Sequence, residues 1–148
     1  MEEYYSYKKF DGYSTCFRQP KADSHCKYIH GYALEFHCHF KGRLDDNNWV
    51  LDFGGFKEFK EKMKYWFDHT LVIDKDDPIK NKAKELQSDG YVQLRIMNGV
   101  GCEKFAEFVA KLLQKHLLEN TDGRVTVVRV ECMENSNNKA SYYPNENL

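Results

Sequence analysis

Tyr28-Ile29-His30-Gly31-Tyr32-Ala33-Leu34-Glu35-Phe36-His37-Cys38-His39-Phe40-Lys41-Gly42-Arg43 is the stretch on which the fold turns. Its aromatic side chains and its alternation suit a half-buried antiparallel strand rather than a helix. Residues 4 to 17 have the same character, so the chain opens with two long strands. Side chains along a strand point to opposite faces in turn, which puts His37 and His39 on the face opposite His30. Just upstream, Ser24-His25-Cys26-Lys27 brings a thiol and a further imidazole to the start of this strand, beside His30 and the phenol of Tyr32. A lone C-x-x-x-H-G is a weak signal, and its weight depends on what the rest of the chain supplies.

Downstream, Asp45-Asp46-Asn47-Asn48 reads as a turn and Trp49-Val50-Leu51-Asp52-Phe53 as a short strand, which Gly54-Gly55 interrupts. Phe56, Phe59, Met63, Trp66 and Phe67 then recur at the spacing of an amphipathic helix. A second helix over about residues 102 to 118 gathers Phe105, Phe108, Val109, Leu112 and Leu113 on one face, with Gly123 in the turn that follows. Between the two, Pro78 to Asp89 suits a short helix and Tyr91 to Met97 a strand. A last strand from near Val125 is expected to put Thr126, Val128, Val130, Cys132 and Glu134 on one side.

This order, with no regular βαβ alternation, predicts an α+β domain spanning residues 1–148, an antiparallel sheet with two helices on one face. Aromatic residues are 15% of the chain, and the last strand is apolar on both sides, so the second sheet face is expected to be buried as well. Oligomerisation that closes several sheets into a barrel would bury it and remove exposed edges.

Charged residues make up 30% of the chain and balance to a net charge of -1, which disfavours nucleic-acid binding and anionic membrane surfaces. No apolar run is long enough to span a bilayer, and Met1-Glu2-Glu3-Tyr4 lacks the basic start of a secretory signal. Five scattered cysteines, an odd number, make a poor disulfide framework. These features predict a cytoplasmic protein in which Cys38 and Cys132 are core residues, whereas Cys26 has polar neighbours.

Four segments line up in order: Cys26-x-x-x-His30-Gly31, Trp49-Val50-Leu51-Asp52-Phe53, Phe67-Asp68-His69, and Glu134-Asn135 followed by Ala140-Ser141-Tyr142. In this order and spacing the chain resembles the 6-pyruvoyltetrahydropterin synthase / 6-carboxytetrahydropterin synthase family over nearly its whole length. Gly101-Cys102-Glu103 matches that family's pterin-loop segment at the start of the second helix. The resemblance implies the tunnelling fold, with subunits closing into a trimeric barrel and two barrels usually stacking into a hexamer. It also implies a pterin substrate, typically 7,8-dihydroneopterin triphosphate, bound where subunits meet. In the bacterial branch the side chain is cleaved to give 6-carboxytetrahydropterin and acetaldehyde, an early step towards queuosine and related 7-deazaguanine nucleosides.

The resemblance gives Cys26 the role of catalytic base, Asp68 and His69 that of a proton-relaying pair, and Glu134 that of the pterin anchor, with Gly101 and Cys102 in the substrate loop. A tuned thiolate and a near-neutral imidazole suit proton transfer. A carboxylate suits the pterin because it can accept two charge-assisted bonds in parallel. Glu131 offers a competing alignment for the anchor.

The family's zinc is held by three histidines, one on the first strand and two in an H-G-H sequence. Here His30 is retained, while Phe17 and Tyr32 occupy the other two positions. A catalytic zinc takes three protein ligands, and phenylalanine offers none. Tyr32 and His25 are the candidates that could complete an irregular site with His30. The expected function is a 6-carboxytetrahydropterin synthase-like lyase. The alternative is a non-catalytic pterin- or purine-binding relative that has lost the zinc site.

Overall fold

Strand β2 (His30–Gly42) alternates without a break, with Leu34, Phe36, Cys38, Phe40 and Gly42 buried and the residues between them half-buried or exposed. It lies at the centre of the computed structural model, which describes residues 2–144. Around it, in chain order, are β1 (Tyr4–Phe17), α1 (Lys57–Phe67), β3 (Thr70–Asp74), α2 (Lys80–Ser88), β4 (Leu94–Met97), α3 (Cys102–Thr121), β5 (Val125–Met133) and β6 (Lys139–Tyr142). The six strands form one sheet in the order β4-β3-β1-β2-β5-β6.

The first strand keeps its apolar face by means of a bulge. Phe10 pairs with Phe36 and Tyr13 with Leu34, so Asp11 and Gly12 together oppose a single residue. Gly12 takes φ of 86°, a conformation open to glycine at little cost. The extra residue moves the inward positions from even to odd numbers, and Tyr13, Thr15 and Phe17 are buried beyond it.

Helices α1 and α3 cover this face. Phe59, Met63 and Phe67 from α1 and Phe105, Val109 and Leu113 from α3 join Leu34, Phe36 and Phe40 in one core. Phe67 packs edge-on against Phe105 with ring centroids 5.4 Å apart. Such an aromatic pair adds about 0.5–1.5 kcal/mol to its area burial.

Four expectations need correction. Trp49–Phe53 is not a strand. Asp45 Oδ1 accepts from the Asn47 and Trp49 amides and folds the chain back, and Asp52 then caps a 3₁₀ turn at Gly54. Val50 and Leu51 are buried in this loop, and an apolar run of that length imitates a strand.

The sheet is mixed rather than antiparallel throughout. β1, β2, β5 and β6 pair antiparallel, whereas β3 runs parallel to both β1 and β4. β3 escapes a reading of periodicity because Thr70, Leu71, Val72 and Ile73 are all buried, leaving no alternation.

A third helix covers the other side of this end of the sheet. Leu71 and Ile73 pack with Ala83 of α2, whereas Val72 belongs to the main core.

Finally, the inward face of β5 is Val125, Val127, Val130 and Cys132, because Phe40 pairs with Val127 and His39 with Arg129, leaving Val128 as a bulge. Thr126 and Val128 therefore do not share a side with Val130 and Cys132.

Candidate active site

The segment carrying Cys26 is a 3₁₀ turn, His25–Lys27, opened by Ser24, whose hydroxyl accepts from the Cys26 amide at 3.3 Å. The turn is tied to the body of the protein from β1 outward. The Gln19 amide donates to the Cys26 carbonyl at 2.8 Å, and Arg18 Nε donates to the Lys27 carbonyl at 2.7 Å. Arg18 also pairs with the fully buried carboxylate of Asp77 at 2.6 Å, and the same carboxylate oxygen receives the Ile79 amide ahead of α2. Buried pairs of this kind are strongly destabilising to break from one side, so Arg18 and Asp77 hold the cysteine turn in place. Neither was a sequence candidate, since both are ordinary charged residues until the fold brings them together.

Cys26, His30, Tyr32, Gly101, Cys102 and Glu134 line one cavity of about 170 Å³, together with Phe17, Gln19 and Glu103. Residues from three distant parts of the sequence therefore meet at the start of β2 and the start of α3. Gly101 has φ of 108°, a conformation that favours glycine, and a Cβ there would stand 2.3 Å from Gln19 Nε2 and displace that side chain. Gln19 Nε2 in turn donates to the Val100 carbonyl at 3.2 Å and braces this loop. The Cys132 thiol, hydrogen-bonded to Cys102 and buried, is held well above the ordinary thiol value and packs as a neutral group.

At the centre of the cavity is a chain of hydrogen bonds. His30 Nδ1 lies 2.6 Å from the Tyr28 carbonyl, and His30 Nε2 contacts the Tyr32 hydroxyl. The Tyr32 hydroxyl also faces the Glu134 carboxylate, so its one proton has two acceptors, Nε2 of His30 and Glu134. Burial first, then the bond to Glu134 and its negative charge, pushes the Tyr32 phenol up to about 12, so it remains a protonated donor at neutral pH. Phe17 is 4% exposed, with its ring 5.0 Å from that of Phe105 and 5.2 Å from that of Tyr32.

Asp68 and His69 are elsewhere. His69 Nδ1 lies 3.0 Å from Asp68 Oδ1, which also accepts from the Ser14 amide. His69 lines a separate cavity with Ser14, Cys16, Gly31, Tyr91 and Gln93, and the two cavities share no residue. The imidazole is 76% exposed, and its backbone takes φ of 56°, a left-handed conformation that is uncommon for a residue with a Cβ. The His69 amide bond to the Ser14 carbonyl at 2.6 Å holds that conformation and presents the ring outward.

His25 is exposed and does not line the cavity. His37 and His39 are on the opposite sheet face, as alternation implies. His37 bonds Glu35 and Tyr7, and His39 bonds Glu131. Glu131 is on that face too, so Glu134 is the acidic residue of β5 and its following turn that lines the cavity. Burial pushes the Glu131 carboxyl up, but hydrogen bonds from Lys139 and His39 outweigh it and leave the group below its ordinary value of 4.5.

A depressed carboxylate contributes stability above its unfolded value, and that contribution is lost as pH falls through the folded value. The stability advantage of wild type over Glu131→Gln is therefore expected to hold above pH 4.5 and to shrink below it. Urea unfolding of both proteins at a series of pH values measures this, and a gap unchanged in acid would contradict it.

The three positions corresponding to zinc ligands do not offer a zinc donor set. Phe17 has no lone pair, and both ring nitrogens of His30 are engaged, Nδ1 with the Tyr28 carbonyl and Nε2 with the Tyr32 hydroxyl. Among the described residues, no group of three His, Cys, Asp or Glu side chains could hold a metal ion.

A curled mixed sheet, helices packed against it and a cavity at the start of its longest helix define a tunnelling-fold chain. Residues 6–145 match the 6-pyruvoyl tetrahydropterin synthase family, and the chain belongs to that family. It is 29% identical over 137 residues to 6-carboxy-5,6,7,8-tetrahydropterin synthase of Aquifex aeolicus, covering 88% of this chain and 83% of that protein. Among solved structures, an uncharacterised protein of Wolinella succinogenes superposes with a TM-score of 0.82 at 19% identity, covering 97% of this chain and 99% of the other. A 6-pyruvoyltetrahydropterin synthase of Plasmodium vivax, solved as a catalytic-residue mutant, superposes with a TM-score of 0.68 at 14% identity over 96% of this chain and 99% of its own. No helix among the described residues is long and apolar enough to cross a membrane.

Proposed function

We propose that this chain is a lyase on the side chain of a reduced pterin, of the 6-carboxytetrahydropterin synthase type. Its substrate is 7,8-dihydroneopterin triphosphate, which with one water gives 6-carboxytetrahydropterin, acetaldehyde and inorganic triphosphate, in the supply of 7-deazaguanine nucleosides. The observation that carries this reading is that Cys26 and Glu134, 108 positions apart in the sequence, line the same cavity beside Gly101.

Glu134 accepts the 2-amino group and the ring N–H of the pterin in parallel, which fixes the orientation of the ring. Cys26 then faces the side chain and removes a proton from it. His69 returns the proton. Asp68 accepts from Nδ1–H of His69 and so leaves Nε2 as the working nitrogen.

Because His69 lines a different cavity from Cys26, the complete set is assembled from two copies of the chain. The size of the Cys26 cavity supports this, since about 170 Å³ is small beside the roughly 300–1,000 Å³ of a complete ligand site. β4 and β6 end the sheet with one unpaired edge each, which suits head-to-tail closure of copies into a trimeric barrel and stacking of barrels into a hexamer.

Mixing tests the reading. Cys26→Ala and His69→Ala oligomers are each expected to be inactive on dihydroneopterin triphosphate. After dissociation and reassembly together, turnover should return, because some sites then combine an intact thiol with an intact imidazole. Mixed oligomers that stay as inactive as their parents would contradict a site shared between copies.

A further inference from the structure

We propose that this cavity holds its pterin without a zinc ion, the His30–Tyr32 pair supplying a hydrogen-bond donor in the ion's place. The proposal rests on the pterin reading above and concerns the electrophile of that site.

Three observations carry it. Phe17 is part of the core, wedged between Phe105 and Tyr32, so the position is filled by packed carbon and no rotation could expose a donor there. His30 has its lone pair turned to Tyr32. The Tyr28 carbonyl can only accept, so Nδ1 must carry the proton facing it, and the remaining nitrogen, Nε2, is directed at the Tyr32 hydroxyl. A zinc-bound imidazole needs that lone pair free, and a histidine ligand ordinarily points its other nitrogen at a carbonyl just as His30 does. The metal's side of the ring is thus the side Tyr32 occupies.

The other imidazoles cannot substitute. His37 and His39 are on the far face and bonded to Glu35 and Glu131, and His25 is exposed outside the cavity. Tyr32 instead lies between two acceptors, His30 Nε2 and Glu134, the carboxylate that receives the ring, with one proton to give. That proton can turn to a ligand oxygen in the cavity once the pterin's own N–H groups take Glu134. The ligand class this fits is a reduced pterin with a hydroxylated side chain, polarised by a neutral donor rather than a cation.

The test uses the intact oligomer purified without chelator. Zinc is counted by elemental analysis after dialysis and by calorimetric titration with zinc chloride, and neopterin binding is followed by its fluorescence with and without EDTA. The expected result is well under one zinc per chain, no saturable zinc binding, and neopterin affinity unchanged by EDTA within about twofold. The double variant Phe17→His/Tyr32→His is expected to gain a tightly held zinc, and the wild-type zinc count decides the matter if that variant does not fold. One zinc per chain in wild type, or a tenfold or greater loss of neopterin affinity on EDTA treatment, would overturn the proposal. Wild type that binds no neopterin with or without EDTA would count against the pterin reading instead, while the zinc count still judges this one.

Discussion

Cys26→Ala is expected to lower turnover of dihydroneopterin triphosphate by about 10²–10⁴-fold, the range associated with a positioned general base, while leaving ligand affinity nearly unchanged. The separation follows from where the thiol lies. Cys26 belongs to a 3₁₀ turn whose backbone, rather than whose sulfur, makes the contacts that hold the loop: Ser24 and Gln19 bind its amide and carbonyl. Losing the sulfur should therefore leave the cavity wall standing. Cys26 is only half-buried, so truncation also removes little core packing. Steady-state kinetics together with direct neopterin binding measure the two effects, and a Cys26→Ala protein with full turnover would remove the thiol from the mechanism.

Glu134→Ala is expected to show the reverse, a loss of binding. Hydrogen bonds to a charged group contribute about 1.5–3 kcal/mol each, so losing two should weaken neopterin by about 10²–10³-fold or more. Tyr32 loses one of the two acceptors it faces in the same variant, which leaves its proton to His30 and adds to the effect. Glu134 lies half-buried in the turn after β5, where its amide bonds the Asn138 carbonyl at 3.1 Å. The turn is thus held by backbone, and the fold should survive the substitution, as circular dichroism can verify. A fluorescence titration that finds wild-type affinity in Glu134→Ala would assign the anchor to another residue.

Much of this arrangement was legible in the sequence where one physical rule acted alone. β2 reads correctly because every second side chain is inward from Leu34 to Gly42 with no bulge. α1 and α3 read correctly because their apolar residues recur with helical spacing against a single core. β3 was hidden by burial on both faces, since α1 and α3 cover one side and α2 the other. The parity of β5 failed at one residue, Val128, because nothing in a run of valines announces a bulge. Val50 and Leu51 misled in the opposite direction, with strand-like composition in a loop that Asp45 and Asp52 shape through side-chain bonds to the backbone.

The site shows the same division. The order and spacing of short segments singled out Cys26, His30, Gly101, Cys102 and Glu134 as candidates, and the fold gathers these five in one cavity. Spacing gave no indication that His69 would face a different cavity, because that depends on a left-handed backbone residue at the junction of α1 and β3. Nor did it single out Arg18 and Asp77, whose buried pair connects the cysteine turn to the start of α2. Tyr32 was visible as an unusual residue at a ligand position. Its bonds to both His30 and Glu134, which make it the centre of the cavity, required the three-dimensional arrangement.

The central claim is that a chain with this cavity performs pterin side-chain chemistry. It is tested most directly by incubating the purified wild-type oligomer with 7,8-dihydroneopterin triphosphate and identifying the products by mass spectrometry. The account predicts consumption of the substrate with formation of 6-carboxytetrahydropterin and acetaldehyde, both absent from a parallel Cys26→Ala reaction. Tight binding of the triphosphate with no product formed by wild type would contradict it.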